Sequence, residues 1–155
     1  MKKKLNFLCV LMLLLMVAQV VMTFVMGADD FAKGWREGAQ ADTSHTTWPE
    51  FLSMLLCFAV VIAAIGSFAC FFRFILNVNR NEVFEWDNVL MLRLTGIGLL
   101  VMVLSISGFG LLNGHVFTEV YDEYFDILIF SVFNLIVAEA FAIGLRLKQE
   151  QDLTI

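Results

Sequence analysis

Charge, proline and histidine are all scarce in this chain: charged residues make up 16% of its 155 positions, with one proline and two histidines. Hydrophobic residues reach 60%, and the mean hydropathy is +0.83. A soluble domain sits nearer half apolar, so this composition excludes an ordinary water-soluble fold. The alternating ten-residue strands of a membrane barrel are also missing, and an α-helix satisfies its own backbone in lipid. Cysteine is limited to Cys9, Cys57 and Cys70, at no metal-like or CxxC spacing. Cys57 and Cys70 would lie roughly 19 Å apart along one helix, so they cannot form a disulfide. With His45 and His115 as the two histidines, no nucleophile motif and no Gly-rich phosphate loop, nothing points to an enzyme, a metal or a cofactor.

What is present is four long apolar stretches: Leu5–Met26, Phe51–Phe72, Leu94–Thr118, and Ile127–Leu145 interrupted by Glu139. Each approaches the roughly 20 residues that cross a bilayer core. The fold class expected is an all-α integral membrane bundle, one domain over 1–155, with spans at about 5–26, 51–74, 92–116 and 125–147. The connections are then an outer loop 27–50, a cytoplasmic loop 75–91, an outer loop 117–124 and a cytoplasmic tail 148–155. The first stretch reads as a span rather than a cleaved signal, because signal h-regions run about 7–15 residues.

Divided by loop, the net charge of −5 becomes an asymmetry. Lys2, Lys3, Lys4, Arg73, Arg80, Arg93, Arg146 and Lys148 fall on one side, and Lys33 and Arg36 on the other. The positive-inside rule then puts both termini in the cytoplasm. The outer segments are acidic.

Thr47-Trp48-Pro49-Glu50 reads as a helix start with a capping box, and Trp48 as an interface residue. In the second span Ala59, Ala63 and Ser67 recur every four residues with Gly66 and Cys70 beside them, which suggests the helix packed at the bundle centre. Gly96, Gly98, Gly108 and Gly110 in the third span fit either packing or local flexibility.

Glu139 is the first functional candidate, being an ionisable residue well inside a span. Such a carboxylate usually faces the bundle interior, paired or protonated. Arg93 and Arg73 are its expected partners, and an ion pair that fixes helix register is favoured over a proton relay. Glu119, Asp122, Glu123 and Asp126 form an outer acidic cluster that would suit a divalent cation or a cationic peptide, or be simply solvated. His115 beside it reads as an interface residue rather than a pH switch. The cytoplasmic loop, with Phe84, Trp86 and Asn88 among charges, suits membrane-surface anchoring or docking of a partner, as does the tail with Glu150, Asp152, Leu153 and Ile155.

The carboxyl-terminal run Glu139-Ala-Phe141-Ala-Ile-Gly144-Leu-Arg, with the ending Glu150-Gln-Asp-Leu-Thr-Ile155, resembles an uncharacterised family of small bacterial four-span proteins, domain of unknown function family 2975. Phe84, Asn88, Leu92, Arg93 and Gly96 look like that family's run into its third helix. Ala142 stands where the family pattern has a basic residue. The resemblance implies no known activity. It implies a gene context beside a Cro/C1-type helix-turn-helix regulator, and so a protein partner for the cytoplasmic side rather than direct nucleic-acid binding. The expected function is a non-enzymatic sensor or anchor in the bacterial inner membrane, its partners the lipid bilayer and such a regulator, with the Glu139–arginine contact as its bistable element. The alternative is an accessory subunit of a transporter or channel, or a stress or immunity protein handling ions or cationic peptides.

Overall fold

The computed structural model describes residues 2–40, 47–80, 82–112, 114 and 117–152, with the backbone alone at 2, 117–123 and 152. Among them the chain forms four helices: α1 (Lys2–Gln40), α2 (Trp48–Asn79), α3 (Trp86–Leu112) and α4 (Phe117–Asp152). Each is long and apolar enough to cross a membrane. The expected all-α, four-helix membrane fold is what the chain adopts.

The helices overrun the spans expected of them, except that α3 stops at Leu112, short of the expected 116. At 1.5 Å per residue α1 is about 58 Å long and α3 about 40 Å, against a hydrocarbon core of roughly 30 Å. Residues 27–40, expected to be a loop, continue α1. Contacts one turn apart support that extension: the Phe31 and Trp35 rings stack at 6.3 Å, Lys33 pairs with Glu37 at 3.9 Å, and Arg36 Nε donates to the Ala32 carbonyl at 3.1 Å. Isolated glycines cost a helix only about 1 kcal/mol each, which these contacts and the continuous backbone offset. Residues 117–124 and 148–152, expected as loop and tail, are likewise helical parts of α4, and the 75–91 loop shrinks to a connection over 80–85.

The α2 start is as its sequence suggests. The Thr47 backbone N–H donates to Glu50 Oε2 at 2.9 Å, the Thr47 carbonyl accepts from Phe51 N–H at 3.0 Å, and Pro49 sits in the first turn, where its missing N–H is harmless. Trp48 is exposed and meets Phe51 edge-on. At the end of α3, Gly114 takes φ +81°, a left-handed conformation that glycine adopts without strain, and its N–H donates to the Leu111 carbonyl at 3.2 Å.

The centre of the bundle is α3, not α2. It packs against α2 on one side and α4 on the other, while α1 packs against α2. The reason is that α3 carries a small residue on each contact face. A Cβ on Gly98 would run into the Ser67 side chain, so Ala63 and Ser67 do form a packing stripe, but on the face α2 turns to α3. A Cβ on Gly96 would sit 2.8 Å from Leu135 and 3.1 Å from the Ser131 carbonyl on α4. These two glycines therefore serve close approach rather than flexibility. The third face of α3, with Leu90, Leu94, Ile97, Val101 and Leu104 at helical spacing, is exposed and apolar, as a lipid-facing surface is. On α4 the buried Ser131, Asn134, Ala138, Ala142 and Leu145 recur every three or four residues and form the stripe toward α3. The chain is a multi-pass membrane protein.

Candidate functional site

Polar and aromatic side chains converge at the end of the bundle where α2, α3 and the 80–85 connection meet α4. Asn88, in the first turn of α3, is fully buried and organises that connection. Its Oδ1 accepts from Asn77 Nδ2 at 2.9 Å, while its own Nδ2 donates to the carbonyls of Val83, at 2.9 Å, and Glu82. The Asn88 backbone N–H donates to the Glu85 carbonyl at 3.1 Å, and Glu82 N–H to the Asn77 carbonyl at 3.0 Å. One amide side chain thus satisfies backbone carbonyls that a tight turn between two helices leaves without helical partners. Asn88 was expected among the docking residues; buried in this network, it is not available to a partner.

Phe84 is held by the same turn. Its ring stacks on Phe141 of α4 at 5.9 Å, and Phe141 in turn meets Phe74 of α2 edge-on at 6.1 Å. Gly144 lies under the Phe84 ring, where a Cβ would make an ordinary van der Waals contact at 3.7 Å. Phe84 nevertheless stays 56% exposed and Trp86 43%, so both present apolar surface at this end. Glu150 is also exposed. Asp152 closes α4, and Leu153 and Ile155 lie outside the described residues, as does His115.

One turn above Asn88 and Val89, Arg93 reaches α4. Its Nε and Nη2 both approach Glu139 Oε1, at 2.9 and 2.7 Å. The expected pairing with Arg93 is what forms. Arg73 is exposed, and no ion pair to it occurs among the described residues. Glu139 does not face the bundle interior: the side chains of Arg93 and Glu139 are 41% and 61% exposed, on the outer edge of the α3–α4 seam. An isolated carboxylate or guanidinium on a lipid-facing surface is costly, and the pair offsets part of that cost. The pair also fixes register, since Arg93 lies between Leu92, buried at 2%, and the Gly96 contact.

Ala142, where the family pattern has a basic residue, is 4% exposed and clusters with Val89 and Leu145 in the apolar core. The acidic residues Glu119, Asp122 and Glu123 occupy the first turns of α4, and Asp126 is exposed on the turn that follows. Acids suit a helix amino terminus because the aligned peptide dipoles leave positive character there. Among the described residues no His, Cys, Asp or Glu group is arranged to hold a metal ion.

Sequence reading missed the polar contacts inside the bundle. Ser131 Oγ donates to the Gly96 carbonyl at 2.7 Å, Thr95 Oγ1 to the Met91 carbonyl at 2.9 Å, and Asn134 Nδ2 to the Phe130 carbonyl at 2.8 Å. Their signal was available in α4, where Ser131, Ala138 and Ala142 repeat small residues along one face, as Ala59, Ala63 and Ser67 do in α2.

Of the residues that carry the family resemblance, Phe84, Arg93 and Gly96 contact α4, Asn88 shapes the turn that brings Phe84 to it, and Leu92 is buried. No curated protein and no solved structure matches the chain. A family profile described as protein of unknown function (DUF2975) matches residues 32–155, from the last turns of α1 to the carboxyl terminus. The chain belongs to the DUF2975 family.

Proposed function

We propose that this protein is a non-enzymatic component of a bacterial cytoplasmic membrane, with both termini in the cytoplasm, that docks and releases a soluble regulator. The docking face would be residues 82–87, the end of the connection and the first residues of α3, together with the end of α4. The observation that carries this reading is the Phe84–Phe141 stack. It ties an exposed apolar residue of the connection to the helix whose far end is the tail, so that the two polar segments act as one surface. Exposed Phe84 and Trp86, set among Glu82, Glu85 and Asp87, have the mix of apolar anchor and charged rim that a protein partner uses. The eight-to-two distribution of basic residues supports the orientation. A helix-turn-helix protein is the partner class that the family resemblance suggests. A signal would act by shifting α3 against α4 at the Arg93–Glu139 contact, which would move Phe84 with it.

The test is cross-linking in intact cells with a tag on a long carboxyl-terminal linker, then mild solubilisation and mass spectrometry, repeated with Glu150–Ile155 deleted and with Phe84→Ala. A DNA-binding protein recovered from the intact chain and lost from both variants is the expected result. Recovery of other membrane subunits alone would replace this reading with that of an accessory subunit.

A further inference from the structure

Because α1 packs on α2 and makes no backbone contact with α4, an apolar groove of about 510 Å³ opens between α1, α2 and the Phe141 ring. Leu5, Cys9 and Met12 form one wall, Phe74 and Val78 the other, and Phe141 the floor. Its volume falls among pockets that hold a small ligand, roughly 300–1,000 Å³. It lies within the apolar part of the bundle, toward the basic end. We propose that the groove is a binding site for one anionic phospholipid of the surrounding bilayer, an acyl chain filling the groove and the phosphate headgroup held at its basic end.

Two observations argue for that occupant. The first is shape: α1 packs on α2, with Cys9 and Met16 its buried residues among those described, and its Leu5, Cys9 and Met12 side forms a concave apolar wall opposite Phe74, Val78 and Phe141. A concave apolar wall gives an acyl chain more atoms to pack against than a flat helix face does. The second is charge. Lys3 and Lys4 directly precede Leu5 at the groove's end, Arg80 follows Val78 by two residues, and all three are exposed. Glu82 and Glu85, one and two residues from Val83, are the acids of the connection beside the lining, so the three cations outnumber the two acids where a headgroup would sit. Basic clusters at a bilayer surface favour anionic over zwitterionic lipid. The lipid would complete the packing of α1 against α2 and α4.

The experiment uses the full chain purified in mild detergent. Phosphatidylglycerol carrying a photoreactive diazirine on one acyl chain is added, irradiated, and the adducts are mapped by mass spectrometry. Adducts concentrated on peptides 5–15, 71–78 and 141, displaced by unlabelled phosphatidylglycerol but not by phosphatidylcholine, are expected. In native mass spectrometry, Lys3→Gln/Lys4→Gln/Arg80→Gln should retain phosphatidylglycerol about tenfold less well or weaker, with phosphatidylcholine unchanged. Cys9→Trp, which fills the groove, should likewise lower retention of phosphatidylglycerol, with phosphatidylcholine unchanged. Adducts spread evenly over the Leu90–Leu104 face of α3, equal competition by the two lipids, or groove residues cross-linked to a second copy of the chain would each overturn the proposal. The adduct map on the unaltered chain does not depend on any variant folding.

Discussion

Ser131 on α4 donates a 2.7 Å hydrogen bond to the carbonyl of Gly96 on α3, at the point where a Cβ on that same glycine would collide with Leu135. Close approach and hydrogen bonding depend on each other here. The bond exists because the absent side chain lets the two backbones meet, and the bond then holds them at that distance. In lipid this kind of contact replaces the hydrophobic force that packs helices in water.

Gly96→Ala should consequently destabilise the bundle by about 1–3 kcal/mol, the usual cost of forcing a methyl into a filled contact. Gly66→Ala is the control, since a Cβ there meets nothing within 4 Å. It should be neutral or slightly stabilising, because alanine is the better helix former by roughly 0.5–1 kcal/mol. Thermal unfolding of the full chain in detergent, followed by size-exclusion, distinguishes the two; equal melting temperatures would contradict the close-contact account.

Asn88→Ala removes the partner of Asn77 and of two connection carbonyls at once. Leaving such groups unpaired costs about 1–3 kcal/mol each where they are buried, so the turn should loosen more than the helices do. Limited proteolysis in detergent should show faster cutting within residues 80–85. Asn88→Asp, which sets a buried carboxylate oxygen against the Glu82 and Val83 carbonyls, should be cut at least as fast as the alanine variant.

Glu139→Gln keeps an oxygen acceptor for Arg93 but removes its counter-charge, leaving an unneutralised cation at a lipid-facing seam. The loss should be about 1–2 kcal/mol, below the roughly 2.5–3.5 kcal/mol that insertion scales give for a charge at the bilayer centre, because half-exposed groups can reach the interface. The double variant Arg93→Gln/Glu139→Gln should recover most of that loss, since neither remaining group is charged. A double-mutant cycle on thermal stability measures this coupling, and strictly additive losses would mean that the pair contributes nothing beyond its separate side chains.

Phe84→Ala should reduce partner recovery in the cross-linking experiment while lowering the melting temperature only slightly, because a ring 56% exposed contributes little burial. Phe84→Leu, which keeps apolar bulk without the stack on Phe141, should recover stability but not full docking. If both variants capture the partner as the parent does, the connection is not the docking face.

Three levels of this protein separate by how local their causes are. The four spans, the Thr47–Glu50 start of α2 and the Arg93–Glu139 pairing were legible because each rests on run length, on residues within one turn, or on the cost of charge in lipid. Helix ends were less so: residues 27–40 look like a loop by charge, yet Phe31–Trp35 and Lys33–Glu37 show that a polar stretch continues a helix once the apolar part has nucleated it. What the sequence determined by itself was that the chain must live in a bilayer as helices. Only the tertiary structure decided that α3 is the centre, that Asn88 faces inward to its own turn, and that Glu139 lies on the outer seam. Each of those depends on which face of a helix meets which neighbour, and helices that are apolar all round give periodicity no polar face by which to choose.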